Sequence, residues 1–166
     1  MFENSEAFWD GIEHSALATA VRESIWIYPF LETVHAVGLG LIFGSILAFD
    51  LRVLGIHKSL PLRLLGRHLL PWVWAGFVLN ATSGVLMFAS DAVEFSTNPA
   101  LRAKLVLIAL AGINAYVFQK RIYQRQMTEE YDVDFPSPPA ARVSAALSIV
   151  LWLAIITAGR MMAFVK

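Results

Sequence analysis

Two ionisable side chains lie inside one of the most apolar stretches of the chain. "IYPFLETVHAVGLGLIFGSILAFD" holds Glu32 and His35 three residues apart, on nearly one helical face. Two cations interrupt other apolar segments: Lys104 in "NPALRAKLVLIALAGINA" and Arg160 in "LWLAIITAGRMM". Asn80 and Asn114 are amides in similar surroundings. A carboxylate, an imidazole and two cations can hold an anionic ligand, ligate a metal or move a proton.

The elements that must position these groups follow from composition. The chain has 166 residues, 57% of them hydrophobic and 16% charged, against about 25% charged in soluble domains. It has no cysteine, which excludes disulfides, thiolate metal sites and an iron–sulfur cluster held by this chain alone. A net charge of zero gives no basis for binding nucleic acid. The early acidic residues Glu3, Glu6, Asp10 and Glu13 are unlike the basic start of a cleavable leader, so none is expected.

Crossing a bilayer takes about 20 apolar residues. Four segments qualify, at about 24–51, 69–90, 101–118 and 140–165. The expected fold is an all-α integral membrane protein, a four-helix bundle at 24–166 preceded by an N-terminal segment at 1–23. Within that segment, one amphipathic helix over 5–20 would lie in the outer interface, with Phe8, Trp9, Ile12, Ala16 and Ala20 as its apolar stripe. The polar stretch "MTEEYDVDFPSPPAAR" reads as a linker into the fourth span.

Eight of the thirteen basic residues fall in the 52–68 and 119–142 loops. The positive-inside bias puts those loops in the cytoplasm and both termini outside. Trp72, Trp74 and Tyr123 then form an inner aromatic belt, and Trp26 and Tyr28 an outer one. Asp50 and Arg52 close the first span at the inner face, as an ion pair or a helix-end anchor. Small residues every fourth position, Ala36, Gly40, Gly44 and Ala48, predict the close-packing face of span one. Gly76, Asn80 and Gly84 do the same for span two.

At about 1.5 Å per residue, His35 lies roughly 15 Å deep, near mid-membrane, with Glu32 one turn nearer the outer surface. Lys104 falls in the first turn of span three and Arg160 in the last two turns of span four. All four belong to the outer half. A purely structural account lets Lys104 and Arg160 snorkel to the interface, Glu32 pair with either, and His35 bond a carbonyl or Asn80. The mid-span amides equally suit interhelical bonds, about 0.6 kcal/mol each on average.

The cofactor account is a cytochrome b-like site for haem b or a related porphyrin. His35 is the axial iron ligand. Lys104 and Arg160 hold propionates, Glu32 bonds or moves protons, and Asn80 lines the pocket. A second ligand is not evident: His68 is about 25 Å away along the membrane normal, and His57 is in a basic loop. His14 reaches the right depth only if its helix dips inward, and Met87 and Met161 are weak thioether candidates. The methionines form no repeated array of the kind a copper path uses.

"LETVHAVGLGLIFGSILAFDLRVLG", "PWVWAGFVLNATSGVLMFAS" and "NPALRAKLVLIALAGINA", over about residues 24–118, resemble a family of small, largely uncharacterised bacterial four-helix membrane proteins. More distantly, the His-x-x-Gly of span one and the Lys opening span three resemble the copper-resistance protein D membrane domain. They also resemble the four-helix, haem-binding protoporphyrinogen oxidase family. The latter resemblance implies a functional pair at His35 and Lys104. That family has further histidines near the inner end of span one, where this chain reads "FDLRVLGIHKSL". The departure speaks against oxidase activity more than against porphyrin binding.

The resulting expectation is a haem protein of the bacterial inner membrane that transfers electrons, with the bilayer, a redox partner protein and a second copy of itself as partners. The alternatives are a porphyrin-oxidising enzyme, a non-catalytic membrane subunit, and a proton-linked carrier of a small solute or copper.

Overall fold

The protein is described by a computed structural model covering residues 2–56, 59–123 and 137–165, with side chains described for 7–56, 59–121 and 137–165. No strand occurs among the described residues. Two short helices, α1 (Phe2–Glu13) and α2 (Ala16–Glu23), precede the long α3 (Ile27–Leu54) and α4 (Leu62–Ser90). The short α5 (Ala92–Thr97) leads to α6 (Pro99–Val117), which continues as a π-helical turn (Phe118–Tyr123). The last helix is α7 (Pro139–Met161).

Four helices are long and apolar enough to cross a membrane: α3, α4, α6 extended to Arg121, and α7. The chain is a multi-pass membrane protein. Their outward faces carry large apolar side chains such as Trp72, Trp74, Phe77, Leu105, Leu110 and Ile113, all exposed on the bundle. Lipid tails satisfy such a surface, while helical hydrogen bonding satisfies the backbone.

Local chemistry sets the helix ends. Gly55 takes the left-handed conformation, φ 107°, and ends α3. Its N–H and that of Ile56 bond back to Arg52 and Leu51 carbonyls at 3.1 and 3.0 Å. Asn98 caps α6 by accepting from Ala100 and Leu101 N–H groups at 2.9 and 3.2 Å, with Pro99 in the first turn. Its amide nitrogen donates to the Val165 carbonyl at 2.7 Å, so one buried side chain joins the start of α6 to the C-terminal end of the chain.

The long helices lie in the order α4, α3, α7, α6. α3 packs against α4 on one side and α7 on the other, and α6 packs on α7. α4 and α6 form no seam with each other, so the bundle is open between them. The α3–α4 seam is set by Gly38 and Gly76. A Cβ on Gly38 would meet the Gly76 carbonyl oxygen at 2.8 Å, and one on Gly76 would meet the Gly38 oxygen at 2.7 Å. This corrects the close-packing face expected for span one. Gly40 and Gly44 have nothing within 4 Å of an added Cβ. Two residues of offset turn the 36–48 stripe away from the α4 seam.

The expected single helix over 5–20 is two helices, broken at His14 and Ser15. Ser15 accepts from Ala18 N–H as the cap of α2, which resets the helical register. Ala18 and Val21 are buried as a result, whereas Phe8 and Ala16 are exposed. α1 rests on α5, and α2 on α4. Trp9 meets Phe88 edge-on at 5.6 Å, and Arg22 donates to the Ser90 carbonyl at 3.2 Å. The N-terminal helices and the C-terminal end of the chain therefore share one end of the bundle. The α3–α4 turn lies at the other, the basic end.

The ion pair between Asp50 and Arg52 does not form. Side chains two positions apart on a helix face different directions, and Arg52 donates from Nε to the Leu60 carbonyl at 2.6 Å. Residues 124–136, most of the expected linker, and His57 lie outside the described residues.

Candidate functional site

His35 sits near the middle of α3, where Asn80 of α4 donates to its backbone carbonyl at 2.9 Å. That bond ties α4 to the α3 backbone without engaging the ring. The imidazole is held by Ser83, three residues after Asn80 on the same face of α4. His35 Nδ1 lies 3.1 Å from Ser83 Oγ. The serine hydroxyl is also 2.6 Å from the Leu79 carbonyl. A carbonyl can only accept, so the single hydroxyl proton goes to Leu79 and Oγ accepts from Nδ1–H. The neutral ring then carries its proton on Nδ1, leaving a lone pair on Nε2.

That lone pair faces Lys104, whose Nζ is 3.5 Å from Nε2. The lysine reaches α3 from α6, although the backbone of α6 packs on α7. Glycines border both side chains. A Cβ on Gly84 would stand 3.1 Å from His35 Cε1, and one on Gly159 of α7 would stand 3.6 Å from Lys104 Nζ. All four long helices therefore meet at one imidazole and one ammonium. Lys104 is partly buried, and no carboxylate pairs with it among the described residues. The arrangement offers a directed nitrogen lone pair beside a cation without a counter-ion, which suits an anionic ligand with a metal or proton at its centre.

Of the five residues expected at this site, the structure brings His35, Asn80 and Lys104 together. Glu32 is exposed and makes no hydrogen bond or ion pair with the other four. Arg160 is exposed too, with its guanidinium carbon 5.6 Å above the Phe164 ring. His14 bonds the Asp10 carbonyl of α1 and His68 the Leu64 carbonyl of its own helix, each at 2.9 Å, and Met161 is exposed. No group of three or more His, Asp or Glu residues converges among the described residues. Ser83, Gly84 and Gly159 complete the site. Ser83 had one signal in the sequence, its i+3 spacing from Asn80.

The model of a family described only as a family of unknown function matches residues 8–165. No curated protein and no solved structure matches the chain.

Proposed function

We propose, for a chain that belongs to this family of unknown function, DUF6644, that it binds haem b or a closely related porphyrin within the membrane. The observation that carries the reading is the His35–Ser83 hydrogen bond, which leaves Nε2 unprotonated and facing the Lys104 ammonium. Metal-ligating histidines characteristically donate their other ring N–H to an oxygen acceptor, the role that Ser83 Oγ takes here.

The residues present fit the group. His35 would hold the iron through Nε2, and Lys104 would pair with a propionate in place of its present contact with the ring. Gly84 and Gly159 let the His35 ring and the Lys104 ammonium pack against their backbones, and the bundle is open between α4 and α6. Arg160, near the same end of α7, can reach the second propionate only by leaving Phe164. Bound haem would supply one-electron transfer. Ser83 keeps the ring oriented, Asn80 ties α4 to the α3 backbone at the ligand, and the apolar helices exclude water.

This reading includes a bacterial inner-membrane location with both termini outside, because the basic end then faces the cytoplasm. It includes a redox partner protein, and a second copy of the chain as a neighbour in the bilayer.

One observation favours a second reading, an enzyme that oxidises a porphyrin. His35 and Lys104, the pair that the resemblance to the protoporphyrinogen oxidase family implies, are adjacent.

An absorption spectrum of the purified protein tests the first reading. A Soret band that is lost in His35→Ala supports it. No Soret band after growth with excess haem precursor, or a band that His35→Ala keeps, refutes it. Rescue of a strain lacking its protoporphyrinogen oxidase, by the wild type but not by Lys104→Met, supports the second.

A further inference from the structure

The bundle contains a second buried ionisable group that the porphyrin reading does not use. Asp50 lies fifteen residues beyond His35 on α3, about 22 Å along the helix, one turn from the Gly55 cap. It is only 7% exposed, and its Oδ2 has no hydrogen-bond partner. The facing helix α7 offers it one hydroxyl, that of Ser148.

The cations around it are engaged elsewhere or face outward. Arg52 bonds the Leu60 carbonyl, and Arg142 of α7 donates to the Leu54 carbonyl at 3.2 Å. On α4, Arg63, Arg67 and His68 are exposed, as are Lys120 and Arg121 on the π-helical turn. None forms an ion pair with Asp50. The neighbouring core is apolar, with Val53, Ala141 and Ala145 buried and Phe49 and Phe118 packed on them.

A carboxylate with no paired cation among the described residues and an empty oxygen is the costly state in such a place. A metal ion would need several more oxygen ligands than one carboxyl and one hydroxyl. A proton needs only the carboxyl itself. As a neutral acid, Asp50 can donate to Ser148 Oγ through one oxygen, and Oδ2 is then a carbonyl oxygen, far cheaper to leave unpaired than a charged one.

We propose that Asp50 is a proton-binding site at the basic end of the bundle, held as a neutral carboxylic acid and exchanging its proton with the aqueous phase at that end. The site is independent of any porphyrin, since it shares no residue with the His35 cluster.

Infrared spectroscopy tests this on the full-length protein reconstituted in lipid vesicles. Aspartate carrying a carbon-13 carboxyl label distinguishes aspartate bands from those of glutamate. The expected result is a protonated-acid carbonyl band at neutral pH that shifts with the isotope, responds to deuterium exchange and is lost as the medium becomes alkaline. The same band disappears in Asp50→Asn.

A lipophilic carbodiimide gives a second readout. It takes up the acid proton on one nitrogen and the carboxyl oxygen on its central carbon. Migration of the acyl group to nitrogen then leaves a stable adduct, with nothing released. Mass spectrometry should place that adduct on Asp50 at neutral pH. Absence of an isotope-sensitive acid band in the wild type at neutral pH overturns the proposal. So does a band that persists unchanged in folded Asp50→Asn.

Discussion

Ser83 Oγ lies 3.1 Å from His35 Nδ1 and 2.6 Å from the Leu79 carbonyl oxygen. One hydroxyl therefore does two jobs: it bonds back to its own helix and fixes which imidazole nitrogen is bare. Ser83→Ala removes the acceptor and leaves the ring free to turn. If the chain binds haem as proposed, the expected result is an affinity about 10–100-fold weaker, the usual effect of losing such an outer partner. Titration of the apoprotein with haem, followed at the Soret band, measures it. An unchanged affinity would show that Ser83 does not orient the ligand.

Gly84 tests the same relationship sterically. An added methyl would stand 3.1 Å from Cε1 and 3.4 Å from Nδ1 of His35, tighter than ordinary contact. The ring must move by a few tenths of an ångström. On the proposed haem reading, Gly84→Ala should lower haem affinity while leaving the thermal midpoint near that of the wild type, because the close seam lies elsewhere. A collapse of stability with unchanged haem binding would contradict this.

Much of this architecture is legible in the sequence, for a physical reason. Apolar length alone specifies a membrane helix, so the four long elements are readable without any tertiary information. What a helix faces is harder to read. The 36–48 small-residue stripe and the Gly38 position differ by two residues, and only Gly76 of α4 decides between them. The site divides in the same way. Depth places His35 and Lys104 on one level, and they touch. Depth also places Glu32 and Arg160 near that level, but rotation about the helix axis turns both outward. Ser83 was hidden because serine is common and its role depends on the tautomer of a residue on another helix. The break at Ser15 was a capping signal within an apparently continuous amphipathic stripe.

The seam itself gives a sharp comparison. Gly38→Ala places a methyl 2.8 Å from two backbone atoms of α4, which must separate from α3. Overpacking of this kind typically costs about 1–3 kcal/mol. Gly44→Ala meets nothing within 4 Å and should be neutral or slightly stabilising. Unfolding midpoints of the two variants in the same detergent test the assignment. A greater loss from Gly44→Ala would restore the 36–48 stripe as the packing face.

Asn114 and Ser144 join α6 to α7 by two bonds. The amide nitrogen donates to the Ser144 carbonyl at 3.0 Å, and the serine hydroxyl donates to the amide oxygen at 2.9 Å. Interhelical hydrogen bonds in membranes average about 0.6 kcal/mol and reach about 1.7. A double-mutant cycle with Asn114→Leu and Ser144→Ala should give a coupling in that range. A coupling of zero would mean that the Ser144 hydroxyl bond adds nothing to the hold of α6 on α7, leaving the amide bond to the Ser144 carbonyl and the packing around Ala111, Leu151 and Ile155.

Lys104 separates ligation from anion binding. If His35 holds the iron and Lys104 pairs with a propionate, Lys104→Met keeps a Soret band but weakens haem binding. The loss of a charge-assisted bond, about 1.5–3 kcal/mol, corresponds to roughly 10–100-fold at about 1.4 kcal/mol per decade. Lys104→Arg restores the charge and should recover part of that affinity. His35→Ala removes the band itself, so the two variants fail differently. If Lys104→Met instead abolishes the Soret band as His35→Ala does, the lysine is acting on the ring rather than on a propionate, because its Nζ lies 3.5 Å from Nε2. A bundle that binds an anion without iron gives a third pattern: protoporphyrin free of metal binds the wild type and His35→Ala alike, and only Lys104→Met weakens it.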